Sequence, residues 1–179
     1  MNKDDIQISK FLSLILRHRP DSVGISLDPE GWVDVDVLLV ACMKAGRSIS
    51  KKDLERIVEA SEKKRFVIRD GRIRANQGHS VEVDLKLEPV EPPDVLYHGT
   101  ATRFLDAILR EGLTSQSRQH VHLSATVDTA TIVGRRHGKP VVLEVAAGEM
   151  FREGKFFFLS ENGVWLTESV EPRFLRETS

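Results

Sequence analysis

The feature that most restricts the fold of this chain is a single change of hydrophobic period at about residue 65. Upstream of it, apolar residues recur every three or four positions, the spacing of a buried helical face. Ile8, Phe11, Leu12, Ile15 and Leu16 mark a first helix over residues 4–19, which Pro20 stops. Leu38, Leu39 and Met43 mark a second, capped by Asp34 or Asp36 and closed by Gly46. Leu54, Ile57 and Val58 mark a third, which opens on the capping sequence Ser50-Lys51-Lys52-Asp53 and runs to about Lys64. Downstream the period drops to two. Phe66-Val67-Ile68 and Ile73-Arg74-Ala75 flank Arg69-Asp70-Gly71-Arg72, whose Asp-Gly pair is a strong two-residue hairpin signal. Three helices followed by a hairpin is the element order of a winged helix, so residues 1–80 are expected to form a winged-helix lobe.

Residues 81–94 are acidic and end in Pro89-Val90-Glu91-Pro92-Pro93-Asp94, where proline removes backbone donors and stiffens the chain. They are expected to be the linker to a second lobe over residues 95–179. That lobe reads as strands at 95–97, 121–123, 141–145, 156–159 and 164–166, with helices at 102–110, ended by Gly112, and 126–137. The expected class is therefore α+β. With 179 residues, 40% hydrophobic and 30% charged, the chain has material for a core, and a wholly disordered chain is excluded. Its apolar runs fall far short of the ~20 residues that span a bilayer. The start, Met1-Asn2-Lys3-Asp4-Asp5, is acidic where a secretory signal needs a basic and then an apolar run. Cys42, the only cysteine, sits in apolar Val40-Ala41-Cys42-Met43 and reads as a small buried hydrophobe. These features predict a cytoplasmic protein without disulfides.

The net charge of −1 conceals an asymmetry: residues 1–80 hold 15 Lys and Arg against 12 Asp and Glu, and the remainder 11 against 15. A mildly basic first half points only weakly to a polyanion, so the positions of the charges must decide. Arg17-His18-Arg19 closes the first helix, where cations complement its dipole. Arg65, Arg69, Arg72 and Arg74 surround the hairpin, and a guanidinium fork matches a phosphate bidentately. Asn76-Gln77-Gly78-His79-Ser80 is a dense polar run. Tyr97-His98-Gly99-Thr100 reads as a strand-to-helix turn, a place where backbone amides accept anions. Arg118-Gln119-His120-Val121-His122-Leu123-Ser124 alternates like a strand, with His120 and His122 on one face. Two such histidines would suit a metal, but no HExxH, no CxxC and no third ligand at a recognisable spacing accompanies them, so a structural zinc site is rejected. Gly134-Arg135-Arg136-His137-Gly138 lacks the Walker pattern and precedes a strand, so it reads as a helix end. Each of these segments has an ordinary structural reading beside the functional one.

Taken in series, Leu16-Arg17-His18-Arg19-Pro20, Lys64-Arg65-Phe66, Ile73-Arg74-Ala75-Asn76-Gln77-Gly78-His79-Ser80, Tyr97-His98-Gly99-Thr100, His120-Val121-His122-Leu123-Ser124 and Asn162-Gly163-Val164-Trp165-Leu166-Thr167 resemble, in order and over nearly the whole chain, the RNA 2′-phosphotransferase family. The resemblance implies a winged-helix RNA lobe joined to an NAD+-binding lobe of the ADP-ribosyltransferase type. It implies removal of an internal RNA 2′-phosphate, of the kind left at a tRNA splice junction. The 2′-phosphate attacks the nicotinamide ribose, nicotinamide leaves, and ADP-ribose remains on the RNA phosphate. A ribose hydroxyl then attacks phosphorus, giving 2′-hydroxyl RNA and ADP-ribose 1″,2″-cyclic phosphate. No metal is implied, NAD+ is consumed as co-substrate, and a monomer without an obligate protein partner is expected. By motif, the family's essential Arg-His-Arg-Arg set falls on Arg17, His18, Arg65 and Arg118. The NAD+ contacts fall on His98, Gly99 and Thr100, on His122, Leu123 and Ser124, and on Asn76, Gln77 and His79. The 162–166 segment offers no glutamate of the kind many protein-directed ADP-ribosyltransferases use, with Glu168 the nearest candidate.

Two other readings compete. An ADP-ribosyltransferase acting on another acceptor would share the second lobe but leave Arg17, His18 and Arg65 without a purpose. A winged-helix DNA-binding regulator would read DNA with residues 51–64, yet that segment carries Asp53, Glu55, Glu59 and Glu62 among its lysines and lacks a basic face.

Overall fold

The first amphipathic stretch folds as α1 (Lys3–Arg17) in the computed structural model of the protein, which describes residues 3–178. Asp4 and Asp5 open the helix and Arg17 closes it, each charge opposing the dipole end it sits on. It stops two residues earlier than its apolar pattern suggests, because the N–H groups of His18 and Arg19 both donate to the Leu14 carbonyl, at 3.0 and 2.9 Å. Pro20 then begins a short 3-10 turn, Pro20–Val23, instead of merely ending α1. A two-residue strand, β1 (Val33–Asp34), leads into α2 (Val35–Lys44). Of the two cap candidates it is Asp34 that caps α2, its Oδ1 accepting from Asp36 N at 2.8 Å and Val37 N at 3.1 Å.

The third helix, α3 (Lys51–Ala60), starts as read, with Ser50 Oγ accepting from Asp53 N. It ends short of Lys64: Lys64 N donates to Ser61 O, and Lys64 takes a φ of 41°, which no helix continues through. β2 (Phe66–Arg69) and β3 (Arg72–Ala75) pair in the register Arg69↔Arg72. The two turn residues, Asp70 and Gly71, both have positive φ, as a two-residue hairpin of matching twist requires. β1 adds to the other side of β3, giving a three-stranded antiparallel sheet in the order β1-β3-β2. Leu12, Ile15, Leu16, Leu38, Leu54, Phe66 and Ile73 form the core between helices and sheet. Met43, assigned by its spacing to the buried stripe, is 58% exposed, and neighbouring Cys42 takes the buried position. Burial pushes the Cys42 thiol up, which fits the reading of an unreactive core residue.

The chain divides into two compact units, Met1–Lys86 and Leu87–Ser179, and its class is α+β with small antiparallel sheets. The stretch 81–94 is shared between the units. Asp84 N donates to Pro29 O in the first, and Val90 N to Phe157 O in the second.

The second unit runs through β4 (Leu96–Ala101), α4 (Thr102–Glu111), β5 (Leu113–Thr114), β6 (Val121–Leu123), α5 (Val127–Gly134), β7 (Pro140–Val145), α6 (Ala147–Arg152), β8 (Phe158–Leu159), β9 (Trp165–Thr167), β10 (Ser169–Val170) and β11 (Leu175–Glu177). Its sheets have the orders β11-β7-β4, β6-β9-β8 and β10-β5. Main-chain bonds in both directions between Tyr97 and Ser124 link β4 to the end of β6. The expected strand-to-helix turn at 97–100 is corrected. His98, Gly99 and Thr100 lie within β4, paired to Leu143, Val142 and Val141 of β7, and α4 begins only at Thr102. α5 is shorter than its reading of 126–137 and is capped by Thr126, so Arg135, Arg136 and His137 follow it as a turn. No helix among the described residues is long and apolar enough to cross a membrane.

Candidate active site

In the first unit the site is assembled by a strap, residues 76–80, stretched between the ends of two elements. Lys64 turns the chain out of the α3 tail and delivers Arg65 to the head of β2. β3 returns beside it, and Asn76 N donates to Arg65 O at 2.9 Å while Asn76 Nδ2 donates to Lys64 O. Gly78 takes a φ of 85°, bending the strap back toward the end of α1. There Ser80 N donates to Arg17 O at 2.8 Å, and Ser80 Oγ lies 2.9 Å from His18 Nδ1. The Arg17 guanidinium stands 5.9 Å from the Phe66 ring centre, a cation–π placement beside Arg65. Arg17, His18, Arg65, Asn76, Gln77 and His79, which the sequence scatters over more than sixty positions, are thereby tied into one neighbourhood. Arg65 also lines a groove of about 370 Å³ with Ile6, Ser9, Lys10 and Ser13 of α1.

The electrostatics of this neighbourhood centre on His79, which is 1% exposed and whose two ring nitrogens have no hydrogen-bond partner within the protein. Burial first, then the charges of Arg17, Arg74 and His18, holds its pKa down at about 4. His79 is therefore neutral near pH 7 and adds no further charge to the cations around it. Arg74 is itself buried, its guanidinium 4.7 Å from the centre of the Trp32 ring and Nη1 donating to Glu30 O. The side-chain oxygens Asn76 Oδ1 and Gln77 Oε1 are buried without a donor, a condition that calls for water or a ligand hydroxyl.

The buried histidine makes acid sensitivity a consequence of the fold. The unfolded chain takes up this proton near 6.5 and the folded chain only near 4, so between these values the unfolded chain binds more protons and acid favours it. Urea titrations should show the His79 contribution to unfolding free energy falling by about 2 kcal/mol between pH 7.5 and pH 5. A His79→Asn chain should lose that part of the slope. An identical pH slope in the two chains would remove His79 as its source.

In the second unit a smaller group gathers around β6. Val121 and Leu123 point into the core, leaving His120 and His122 half-buried on the other side, as their alternation predicts. Arg118, held in the preceding loop by its N–H to Ser115 O, brings Nη1 to 3.3 Å from His122 Nδ1. His98 Nδ1 lies 3.2 Å from the His122 carbonyl, and burial pushes the His98 imidazole pKa down. Arg118 is likewise lowered, first by burial and then by the charge of Arg136. The turn after α5 therefore brings a second guanidinium toward the first. His120 stands apart, edge-on to Phe158 at 5.7 Å between ring centres and within reach of the Glu168 charge. Leu123 and Thr100 are buried side chains, Ser124 is engaged through its main chain with Tyr97, and Gly99 lies under α5.

Sequence reasoning singled out Arg74 among the hairpin arginines and Ser80 in the polar run without giving either a role in the site, and it left Arg136 out. Ser80 meets its partner across 62 residues, a relation that leaves no local pattern. The proximity of Arg136 had a signal in the basic turn at 134–138, which read as a plain helix end. Among the described residues no group of His, Cys, Asp and Glu side chains comes together that could hold a metal ion.

An α+β protein that gathers Arg17, His18 and Arg65 around one strap has the donor chemistry that suits a phosphorylated ligand. The sequence profile described as RNA 2′-phosphotransferase, Tpt1 / KptA family, matches residues 3–169, and the chain belongs to that family. A relative from Nostoc punctiforme is 53% identical over 174 residues, covering 96% of each chain. One from Agrobacterium fabrum is 57% identical over 169 residues, covering 93% of this chain and 91% of its own. One from Pseudomonas aeruginosa is 53% identical over 172 residues and 94% of each chain. All three bear the name "Probable RNA 2'-phosphotransferase".

Proposed function

We propose that the protein removes an internal 2′-phosphate from RNA in a reaction that consumes NAD+. It proceeds through an ADP-ribosylated RNA 2′-phosphate and releases nicotinamide, ADP-ribose 1″,2″-cyclic phosphate and 2′-hydroxyl RNA. The observation that carries this reading is the strap at 76–80, which joins the main chain of Arg65 to that of Arg17 and reaches the His18 side chain. Those three residues occupy places the family resemblance gives to the phosphate.

The chemistry asks for fixed positive donors and not for a carboxylate, since both a dianionic nucleophile and a phosphoryl transition state carry spread negative charge. Arg17 and Arg65 supply guanidinium forks for the 2′-phosphate, and neutral His79 adds no further cation beside Arg17. His18 donates to a phosphoryl oxygen or protonates the departing RNA 2′-oxygen, work that suits an imidazole near neutral pH. By the family resemblance, Arg118 is the remaining member of the essential set. NAD+ supplies an electrophilic ribose carbon with nicotinamide as its leaving group. In favour of NAD+ at the second unit stand the exposed guanidiniums of Arg118 and Arg136 near the half-buried imidazoles of His98 and His122, since fixed positive charge suits an anionic pyrophosphate more than a basic or neutral ligand. On this reading the first unit is a winged-helix RNA lobe and the second a lobe of the ADP-ribosyltransferase type. The protein acts in the cytoplasm as a monomer, without a metal or an obligate protein partner, on RNA with a splice-junction phosphate such as tRNA.

The test is incubation with an internally 2′-phosphorylated oligoribonucleotide, with and without NAD+ and with EDTA present, following both RNA and nicotinamide. Phosphate loss only with NAD+, together with the cyclic ADP-ribose phosphate, is the expected result. The charge of Glu168 beside His120 favours one second reading, ADP-ribosyl transfer to a different acceptor. Nicotinamide release with the RNA phosphate retained would move the assignment there.

A further inference from the structure

Ser80 is held to the end of α1 twice. Its N–H donates to Arg17 O at 2.8 Å, and its hydroxyl oxygen stands 2.9 Å from His18 Nδ1. The main-chain bond fixes where the hydroxyl sits, and buried His79 immediately before it anchors the strap in the core. Ser80 itself is exposed, so its hydroxyl is not needed to satisfy a buried group. A hydrogen bond at one ring nitrogen of a histidine decides which proton the other carries and where the ring points.

We infer that Ser80 is a positioning residue for His18: by engaging Nδ1 it orients the imidazole so that Nε2 is the nitrogen that meets the phosphate. This rests on the RNA 2′-phosphate reading above. In the imidazolium, Nδ1–H donates to Ser80 Oγ while Nε2–H is the proton available to the phosphoryl group or the departing 2′-oxygen. When the Nε2 proton leaves, Nδ1–H keeps its bond to Oγ, so the ring does not turn and the same nitrogen is reprotonated. Neutral His18 in the free protein therefore holds its proton on Nδ1.

The experiment pairs kinetics with a readout that does not depend on turnover. Ser80→Ala should lower kcat for phosphate removal about 10- to 100-fold, the loss expected for one bond to a charged group, with KM for RNA little changed. Ser80→Thr keeps the hydroxyl, places its methyl at the exposed surface, and should restore most of the rate. In ¹⁵N spectra above the imidazole titration, with the His18 signal assigned by its absence from His18→Gln, wild type and Ser80→Thr should show the Nδ1–H tautomer, and Ser80→Ala should lose it. Wild-type kcat in Ser80→Ala, or a tautomer unmoved by the substitution, overturns the inference. If wild type fails to act on the RNA at all, the functional reading falls, and the ¹⁵N spectra still decide whether Ser80 sets the tautomer of His18.

Discussion

Arg65→Ala should slow removal of the RNA 2′-phosphate by about a thousandfold or more, the scale of losing one preorganised donor to a phosphoryl transition state. Arg17 also stacks on Phe66 and has buried guanidinium nitrogens, so its truncation would disturb packing together with charge. The bond by which Arg65 holds the strap is a main-chain one, from Asn76 N to its carbonyl, and alanine keeps it. Folding measured by far-ultraviolet circular dichroism and by a urea midpoint should accordingly stay close to wild type while the rate collapses. Arg65→Lys should recover only part of the loss, because an ammonium is a point charge where a guanidinium offers a planar fork to two phosphate oxygens. A single-turnover assay at saturating NAD+ isolates the chemical steps. If Arg65→Ala stays within about tenfold of wild type, Arg65 does not touch the reacting phosphate, since a lost contact of this kind costs at least ~10²-fold.

What the sequence disclosed and what it withheld divide along a physical line. Signals that repeat within one element were legible: the stripe Leu12, Ile15 and Leu16 of α1, the Ser50 cap of α3, and the hairpin at Asp70-Gly71, whose register Arg69↔Arg72 agrees with a two-residue turn. Several elements too short to repeat anything were not. β1, β5 and β10 have two residues each, and α6 has six. Boundaries went wrong where a tertiary contact overrode local preference. The lysines at 63 and 64 extend the helical pattern of α3, yet the chain must turn there to start β2, and Lys64 adopts a positive φ to do so. The site followed the same rule. The types and order of Arg17, His18, Arg65 and Arg118 stood in the motifs, whereas the strap reaches Arg17 and Arg65 through main-chain bonds and His18 through the Ser80 side chain, and such tertiary bonds have no periodicity. Arg118 and His122 lie only four residues apart, and their contact was the one part of the second group that local spacing could have suggested.

Gly99→Ala should be the most damaging single methyl added to the second unit, destabilising it by about 3 kcal/mol or more, at the upper end for overpacking. A glycine inside an apparent strand-helix motif suggests a turn or a phosphate loop. Here it lies mid-strand in β4, and its φ is not in the left-handed region, so the requirement is space and not conformation. A Cβ at this position would stand 1.7 Å from the carbonyl oxygen and 2.5 Å from the carbonyl carbon of Ala130, in the first turns of α5. Gly134 makes the reciprocal approach at the far end of the helix, where its own Cβ would come 2.6 Å from Thr100 O. The atoms in the way are main chain, so no side-chain trimming on α5 relieves the clash, and Gly99→Ala combined with Ala130→Gly should be no more stable than Gly99→Ala alone. Relief requires α5 to lift off β4. The turn that follows it carries Arg136, whose charge reaches Arg118, and His137, whose charge reaches His98. Lifting the helix therefore loosens both the core and the cationic group. Urea unfolding followed by circular dichroism is the direct measurement. A midpoint shared with wild type would mean that α5 does not rest on Gly99 in solution, and the close approach of β4 and α5 that places Arg136 near Arg118 would have to be abandoned.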